Sequence, residues 1–197
     1  MDRRIGRDFL NAGIGYGGSC FPKDIAAFIT ISEQLGVPFN LLKEVQRINT
    51  AQKERFLKVI RETLWVLREK KIAVWGLTFK PDTDDIRSSV AIELVAHLLR
   101  EGAHVTAYDP KGMERAREVK TIEGVAFAAS ALEAVDGAEA LIIATEWSEL
   151  ANVDLALVKE RMTTPIVFDG RNLFDPETMG QLGFRYHSIG RASITPH

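Results

Sequence analysis

Hydrophobic residues recur at two different periods along the chain, and the change of period falls near residue 71. From about Lys23 to Leu35 the spacing is helical, and Gly36-Val37-Pro38 predicts the end of that helix. A longer helical pattern follows from Asn40 to Arg68, with apolar residues mostly three or four positions apart. This second stretch is long for one globular helix, so a break near Asn49-Thr50 is expected.

The apolar stripe of residues 40–68 is wide, and a wide apolar stripe must be covered by a partner surface. We interpret the stretch as a core or dimerisation helix and expect a homodimer that pairs through it, because large exposed apolar patches are uncommon on monomers. The stripe consists of Leu41, Val45, Ile48, Phe56, Ile60, Leu64 and Leu67.

Beyond residue 71, short apolar runs of the kind found in buried strands alternate with helical patterns. Such alternation predicts an α/β fold with a parallel sheet and right-handed crossovers. Residues 71–197 are therefore expected to form a Rossmann-like domain, preceded by a helical central or dimerisation segment within residues 1–70. Ligands of such sheets bind beyond the carboxyl ends of the strands. The predicted strands are residues 72–75, 105–108, 140–144 and 165–168, and the clearest helices between them are Ser89 to Arg100 and Asp154 to Arg161.

Composition and charge argue against several classes of function. Hydrophobic residues make up 46% of the 197 residues and the net charge is -2, so no global charge favours nucleic acid or a membrane surface. No apolar run approaches the ~18 residues of a membrane span, and the lone thiol of Cys20 suits a reducing, cytoplasmic compartment. The four histidines are scattered, so no metal site is expected.

The segment from Gly13 to Asp24 carries the most chemistry. Four of its first six residues are glycines, which allow close approach of backbone to a ligand. Cys20 follows them, directly before a predicted helix whose first turn suits Pro22. A helix start and the nearby Lys23 both favour a thiolate, the nucleophilic form. The residues alone leave two readings open: a reactive cysteine, or a buried structural one beside a glycine-rich loop.

The same segment resembles the signature of UDP-glucose 6-dehydrogenases, in the UDP-glucose/GDP-mannose dehydrogenase family. Further segments resemble that family in the same order along nearly the whole chain. They are Arg4-Ile5-Gly6, Phe9 to Gly13, Gly76 to Arg87, Tyr108-Asp109-Pro110, Thr145-Glu146-Trp147, Asp169 to Asn172 and Ser188 to Arg191.

The resemblance implies an NAD-dependent oxidation of the sugar C6 alcohol to a carboxylate, with two NAD+ reduced. It implies that Cys20 is the nucleophile that forms a thiohemiacetal and then a thioester, and that Asp24 assists its hydrolysis. Lys23 and Arg87 match positions on the NAD side. Without the resemblance, Asp24 would be a helix-start acid and Arg87 a surface charge.

The resemblance also implies a substrate site for a UDP-sugar. Without it, Lys80 would be a solvated loop residue, and Phe9 and Leu10 would be core residues. Arg4 is expected to reach a substrate in a neighbouring subunit. The implied substrate-binding residues are Arg4, Phe9, Leu10, Asn11, Ala12, Gly13, Gly17 and Lys80.

Two departures from the family limit the expectation. No Gly-x-Gly-x-x-Gly fingerprint follows a predicted strand, so the family's N-terminal NAD-binding domain is expected to be absent and the chain alone inactive. A lysine and an asparagine that the family carries before its signature are also missing. Two alternatives stay open: a dehydrogenase of another nucleotide sugar, such as GDP-mannose or a UDP-N-acetylhexosamine, and a non-catalytic nucleotide-binding or dimerisation module.

Overall fold

A computed structural model describes residues 10–195 and shows two helices followed by an open parallel sheet. The first helices are α1 (Phe21–Gln34) and α2 (Asn40–Leu64). Because α2 runs unbroken for 25 residues, the predicted break near Asn49-Thr50 is wrong.

Six strands form the sheet, in the order β3-β2-β1-β4-β5-β6, and every neighbouring pair is parallel. This is the strand order of a doubly wound Rossmann sheet, so the predicted fold class is confirmed. The predicted strands match four of the six, whereas β3 and β6 were missed. The strands are β1 (Lys71–Trp75), β2 (His104–Tyr108), β3 (Ala126–Phe127), β4 (Ala140–Ile143), β5 (Ile166–Asp169) and β6 (Arg185–Ser188).

Several helices of the sheet domain begin at side chains that accept hydrogen bonds from their first turns. Ser89 caps α3, Asp154 caps α7 and Asp175 caps α8, each satisfying amide groups that the helix itself cannot. The helices are α3 (Val90–Arg100), α4 (Met113–Ala116), α5 (Ala131–Ala134), α6 (Ser148–Ala151), α7 (Leu155–Arg161) and α8 (Pro176–Gln181), with a short 3-10 turn at Lys120–Ile122.

Both faces of the sheet are buried. Alternate residues of β1 point to opposite sides, so Ile72 and Val74 join one core cluster while Ala73 and Trp75 join the other. The first cluster also takes in the C-terminal half of α2, through Phe56, Leu57, Ile60 and Leu64. That half of the predicted stripe is therefore covered within the chain itself, and only the N-terminal half is left for a partner.

Apolar side chains remain exposed on α1, on the α1–α2 connection and on the first half of α2. Their exposed fractions are large for aliphatic and aromatic side chains, as in Leu35 (74% exposed) and Leu41 (66% exposed). We call this set the apolar helix face; it comprises Phe28, Ile31, Leu35, Val37, Phe39, Leu41 and Ile48. Within residues 10–195, no helix is both long and apolar enough to cross a membrane.

Candidate active site

Residues 10–20, the glycine loop, cross the carboxyl edge of the sheet. At one end the amide of Ile14 donates to the carbonyl of Gly170, which follows β5, at 3.0 Å. At the other end the amide of Gly18 donates to the carbonyl of Ser88, just before α3, at 3.2 Å. Ile14 is only 1% exposed, so the loop is seated on the sheet edge where ligands of such folds bind.

Helix α2 holds the opposite side of the glycine loop. The Asn49 side chain accepts from the amide of Tyr16 at 2.8 Å and donates to the carbonyl of the same residue at 3.0 Å. One turn further along the helix, Gln52 donates to the carbonyl of Gly13 at 2.9 Å. The loop is thus held between a helix on one side and strand ends on the other.

Close packing against the sheet domain explains two of the loop glycines. A Cβ at Gly17 would lie 2.3 Å from the carbonyl oxygen of Ser88, a distance that no side chain tolerates. Gly18 has a positive φ of 91°, and a Cβ there would lie 2.7 Å from the ring of Phe79. Any other residue at these positions would lift the loop off the β1–α3 connection.

Cys20 is exposed and stands directly before the first residue of α1. The reading of Cys20 as a buried structural cysteine is therefore wrong. Its sulfur lies 3.7 Å from the Ser19 hydroxyl, and Pro22 occupies the first turn of the helix as expected. The positive end of a 14-residue helix stabilises negative charge on a thiolate placed there.

Three charged residues lie near this cysteine in the sequence or in the structure. Asp24 lies in the first turn of α1 and forms an exposed ion pair with Lys23 at 3.6 Å. Arg87 pairs with Asp85 at 2.7 Å and lowers the pKa of that carboxyl to about 2. The hydrogen bond to Asp85 is also the main reason why the pKa of Arg87 is raised, with a smaller contribution from Cys20. Cys20 and Arg87 are thus close enough to interact electrostatically.

The remaining predicted site residues fall into two groups. Leu10, Asn11 and Ala12 are exposed at the start of the glycine loop and Gly13 is half-buried, whereas Arg4 and Phe9 lie outside the described residues. Lys80 is exposed on the β1–α3 connection, and its ammonium lies 5.4 Å from the ring centroid of Phe79. Since Phe79 also packs against Gly18, this ring joins Lys80 to the glycine loop.

The crevice at the switch point of the sheet, between β1 and β4, is closed by protein. A Cβ at Gly76 would lie 2.4 Å from the Cβ of Thr145. The Thr145 hydroxyl donates to the carbonyl of Thr78 at 2.6 Å, and both threonines are fully buried. The crevice between Gly76 and Thr145 therefore has no room for a ligand.

The turn after β1 does not fit the pyrophosphate of a dinucleotide. In a dinucleotide-binding turn, backbone amides and an immediately following helix face the phosphates. Here the amides of Leu77 and Thr78 both donate to the Asp109 carboxylate, and α3 begins only at Val90. The negative group already in place would repel a phosphate.

Several contacts that build the site were not found from the sequence. Asn49 lies at the predicted helix break and Gln52 is an ordinary polar position on an amphipathic helix, although both side chains bind the glycine loop. Ser88 acts through a backbone carbonyl that no motif marks, and Phe79 acts through its ring although the resemblance of residues 76–87 gives it no role. Asp109 directly follows a predicted strand, and this position in the sequence is the signal that could have revealed it.

A groove of about 440 Å³ lies between α2 and α3 and reaches Ile14 of the glycine loop, but none of the predicted site residues that the structure describes lines it. Its walls carry the ion pair of Lys53 with Glu93, and its floor is the apolar surface that joins α2 to the sheet. We find no constellation of reactive groups there. Among the described residues, no cluster of three or more histidine, cysteine or acidic side chains could hold a metal ion.

Comparison with known proteins matches the two parts of the chain to consecutive domains of one family. The profile "UDP-glucose/GDP-mannose dehydrogenase family, UDP binding domain" matches residues 73–176, and the central-domain profile matches residues 1–51. A UDP-glucose 6-dehydrogenase from Rhizobium meliloti is 46% identical over 97% of the chain. The chain belongs to the UDP-glucose/GDP-mannose dehydrogenase family. This confirms the resemblance that the sequence motifs indicated.

Solved structures support the same assignment. A UDP-glucose dehydrogenase from Pyrobaculum islandicum superposes with a TM-score of 0.83 at 36% identity, over 98% of this chain. A UDP-D-ManNAc dehydrogenase from Pyrococcus horikoshii reaches a TM-score of 0.75 at 30% identity, over 91% of this chain. The chain spans less than half of these relatives: 44% of the Rhizobium protein, 42% of the Pyrobaculum chain and 40% of the Pyrococcus chain.

Proposed function

We propose that this chain is the part of a UDP-glucose 6-dehydrogenase that supplies the cysteine nucleophile and the nucleotide-sugar-binding face. One observation carries the proposal: the glycine loop seats an exposed Cys20, at a helix start, on the carboxyl edge of a parallel sheet beside Arg87 and Lys80. The similarity to named UDP-glucose 6-dehydrogenases gives the substrate class.

Cys20 acts after the C6 alcohol of the sugar has been oxidised to an aldehyde. Its thiolate adds to the aldehyde carbon, which forms a C–S bond, and the aldehyde oxygen takes up a proton to give a thiohemiacetal. Loss of a hydride from that carbon and of the hydroxyl proton gives a thioester. Water then attacks the thioester, the C–S bond breaks, and the products are a carboxylate, two protons and the restored thiolate. Four electrons leave the sugar as two hydrides, which two molecules of NAD+ accept.

Asp24 is suited to assist the hydrolysis. It is exposed and lies four residues after Cys20 on the first turn of α1, so the two residues share one face of the helix. A carboxylate at that position can orient the attacking water and accept its proton. The partner that Asp24 has in this structure, Lys23, is equally exposed and leaves the carboxylate accessible to water.

The nucleotide sugar lies against the β1–α3 connection and the glycine loop. Lys80 places a cation where a phosphate or sugar oxygen can bind, and Gly17 offers backbone without a side chain. Leu10 to Gly13 are proposed to line the sugar side of the same loop, together with Arg4 and Phe9, which lie outside the described residues. Uracil is the proposed base because of the similarity to UDP-glucose 6-dehydrogenases.

NAD is proposed as the cofactor, with most of its binding surface outside the sheet described here, because the turn after β1 does not fit a dinucleotide. Lys23 and Arg87 are exposed cations near Cys20 and are suited to contact the phosphates of NAD. The chain by itself is accordingly proposed to be inactive as a dehydrogenase. The division into a loop-and-helix segment of residues 1–70 and a nucleotide-sugar domain of residues 71–197 belongs to the same proposal.

A homodimer is proposed to cover the apolar helix face. Phe28, Leu35 and Leu41 are each more than half exposed there, on two helices that are joined by a short connection. A second copy of the chain offers an equally apolar surface, and the pairing of identical surfaces is the commonest form of assembly.

Protection of Cys20 from alkylation tests the proposed function on this chain alone. Because Cys20 is the single cysteine, iodoacetamide modification reports on one site. UDP-glucose should slow the reaction, GDP-mannose should not, and Lys80→Ala should weaken the protection. Equal rates with and without UDP-glucose would contradict the proposed substrate. Stronger protection by GDP-mannose or by UDP-N-acetylmannosamine would reassign the chain to another nucleotide sugar.

A further inference from the structure

Asp109 is a fully buried carboxylate at the carboxyl end of β2. One of its oxygens, Oδ2, accepts from the amide of Leu77 at 2.6 Å and from the amide of Thr78 at 3.0 Å. The same oxygen lies 3.2 Å from the Thr78 hydroxyl and 3.2 Å from the indole nitrogen of Trp147, both of which donate to it. The carboxylate thereby joins the ends of β1, β2 and β4.

The second oxygen, Oδ1, binds the turn that follows β2. It accepts from the amide of Lys111 at 2.9 Å and from the amide of Gly112 at 2.7 Å. Among the described residues, no cation forms an ion pair with Asp109, and the ammonium of Lys111 lies instead over the Trp147 ring at 5.8 Å. The negative charge is therefore held by N–H and O–H donors, as a bound anion would be.

This position has another use in sheets that bind dinucleotides. An acid near the end of the second strand hydrogen-bonds the ribose of the ligand, and the amides of the first turn face its pyrophosphate. In this chain both oxygens of Asp109 are occupied by protein donors, and the first-turn amides are the donors. Asp109 thus takes the place of a ligand phosphate within the protein.

The loop that Asp109 fixes carries the proposed site. Leu77 and Thr78 are followed directly by Phe79, whose ring packs on Gly18, and by Lys80. The connection between β1 and α3 is 14 residues long and has little regular structure, so it needs anchors of its own. Asp109 and the Thr145 hydroxyl both bind Thr78, two residues before Lys80, and Asp109 is the only one of the two that also binds Leu77.

We propose that Asp109 is a positioning residue, whose carboxylate replaces a phosphate in the turn after β1 and so fixes Lys80 and Phe79 for nucleotide-sugar binding. The inference rests on the proposed function as far as the ligand is concerned. Its structural part, the anchoring of residues 77–88 by Asp109, does not depend on the ligand.

The test uses this chain, with Asp109→Asn as the main variant. Asparagine keeps the shape of the side chain but turns its amide NH2 group, a donor, toward one set of N–H donors, so that set loses its acceptor. UDP should bind about tenfold more weakly by calorimetry, and hydrogen exchange should become faster across residues 77–88. Val158→Ala, a core substitution on α7, serves as a control that lowers the melting temperature without touching the loop. UDP affinity and loop exchange that are unchanged in Asp109→Asn, or equally changed in Val158→Ala, would overturn the proposal.

Two further variants test whether Asp109 acts through Lys80 and whether its carboxylate anchors the loop. In a Lys80→Ala background, Asp109→Asn should weaken UDP binding by much less than in the unchanged chain, because the two residues act on one contact. Full additivity would show that Asp109 does not act through Lys80. If Asp109→Asn does not fold, Trp147→Phe removes a single donor from the carboxylate. Its loop exchange should still rise, and normal exchange at residues 77–88 would contradict the anchoring.

The same data separate the two proposals. An unchanged chain that binds no UDP, together with selectively faster exchange of residues 77–88 in Asp109→Asn, would remove the proposed nucleotide sugar and leave the anchoring intact. Normal UDP binding by both chains would leave the proposed function standing and remove the role of Asp109.

Discussion

The carboxamide of Asn49 makes two hydrogen bonds to the backbone of Tyr16, one as acceptor and one as donor. The two residues are 33 positions apart, so this pairing connects the middle of α2 to the middle of the glycine loop. A Cβ at Gly15 would lie 2.6 Å from the same side-chain oxygen, which shows how closely the loop approaches the helix.

Replacing Asn49 with alanine should loosen the glycine loop. Both hydrogen bonds disappear, and each contributes about 1 kcal/mol. Amides of residues 13–18 should then exchange faster in hydrogen-exchange measurements, and UDP-glucose should protect Cys20 less well from alkylation. Lys58→Ala, on the exposed side of the same helix, should change neither. Equal protection in both variants would show that α2 does not position the loop.

Cys20 should be alkylated by iodoacetamide faster than a free thiol near neutral pH. It is exposed at the start of a long helix, where a thiolate is stabilised, and Arg87 lies nearby. The rate is measured against pH on the unchanged chain and on Arg87→Ala, which should react more slowly. A rate no greater than that of a small free thiol would argue against an activated nucleophile.

Substitution of Cys20 by serine should block the second oxidation in a full-length protein that contains this sequence. A serine hydroxyl is a much weaker nucleophile, and its ester is hydrolysed far less readily than a thioester. NADH formation from UDP-glucose is the measurement, with the 197-residue chain alone expected to form none. Normal turnover by the serine variant would remove Cys20 from the mechanism.

A charge placed on the apolar helix face should separate the proposed dimer. Light scattering should report a dimer for the unchanged chain, and Leu41→Glu should shift it toward the monomer because a carboxylate is costly to bury. Leu157→Glu, at an exposed leucine on α7, serves as the matched control and should remain dimeric. A monomer at micromolar concentration in the unchanged chain would contradict the pairing.

Trp65→Gly should stabilise the protein. Trp65 ends α2 with φ 62° and ψ -63°, and the amide of Val66 donates to the carbonyl of Leu64, which together define a strained γ-turn. The indole is 90% exposed, so little burial is lost, and the free energy of unfolding should rise by about 1 kcal/mol. Chemical denaturation measures this free energy. The control Val66→Gly should lower the free energy of unfolding. A loss of stability in Trp65→Gly would show that the indole has a contact of its own.

Stability should fall as the pH drops below 6.5, in part because of His187. Burial lowers the pKa of His187 below its ordinary value of 6.5, with a smaller contribution from Arg185. The unfolded chain therefore binds a proton before the folded chain does, and acid favours unfolding in that range. Denaturation curves are measured at a series of pH values below neutral. The free energy of unfolding should depend less on pH in His187→Phe, whose ring can keep the stacking on Phe168. An unchanged slope would show that His187 does not contribute.

The fold could be predicted because its signals are local. Runs such as residues 72–75 and 140–143 are apolar without interruption, as strands buried on both faces must be. Strand β3 was missed because it is only two residues long, and β6, Arg185–Ser188, because it begins and ends with polar residues at the sheet edge. The unbroken course of α2 was missed because the polar residues at its centre, Asn49 and Thr50, look like a helix end.

The candidate site could be predicted only where a motif marks it. Cys20 and its glycines are contiguous in sequence, whereas the contacts of Asn49, Ser88 and Asp109 join residues that are more than 30 positions apart. Such contacts depend on the tertiary arrangement and leave no periodic pattern. The roles assigned to Asp24, Lys23, Lys80 and the loop residues stay predictions that the experiments above can decide.

Helix α2 has consequences for how two such chains would communicate. Its 25 residues form a rod of about 37 Å, with the apolar helix face at one end, the glycine loop at its middle and the sheet core at the other end. A rod that is fixed to the core by Phe56 and Ile60 can transmit a tilt with little bending. In the proposed dimer, a displacement at the paired ends would then reach Tyr16 through Asn49, and strain in the pairing would be mechanically linked to the placement of the Cys20 sulfur.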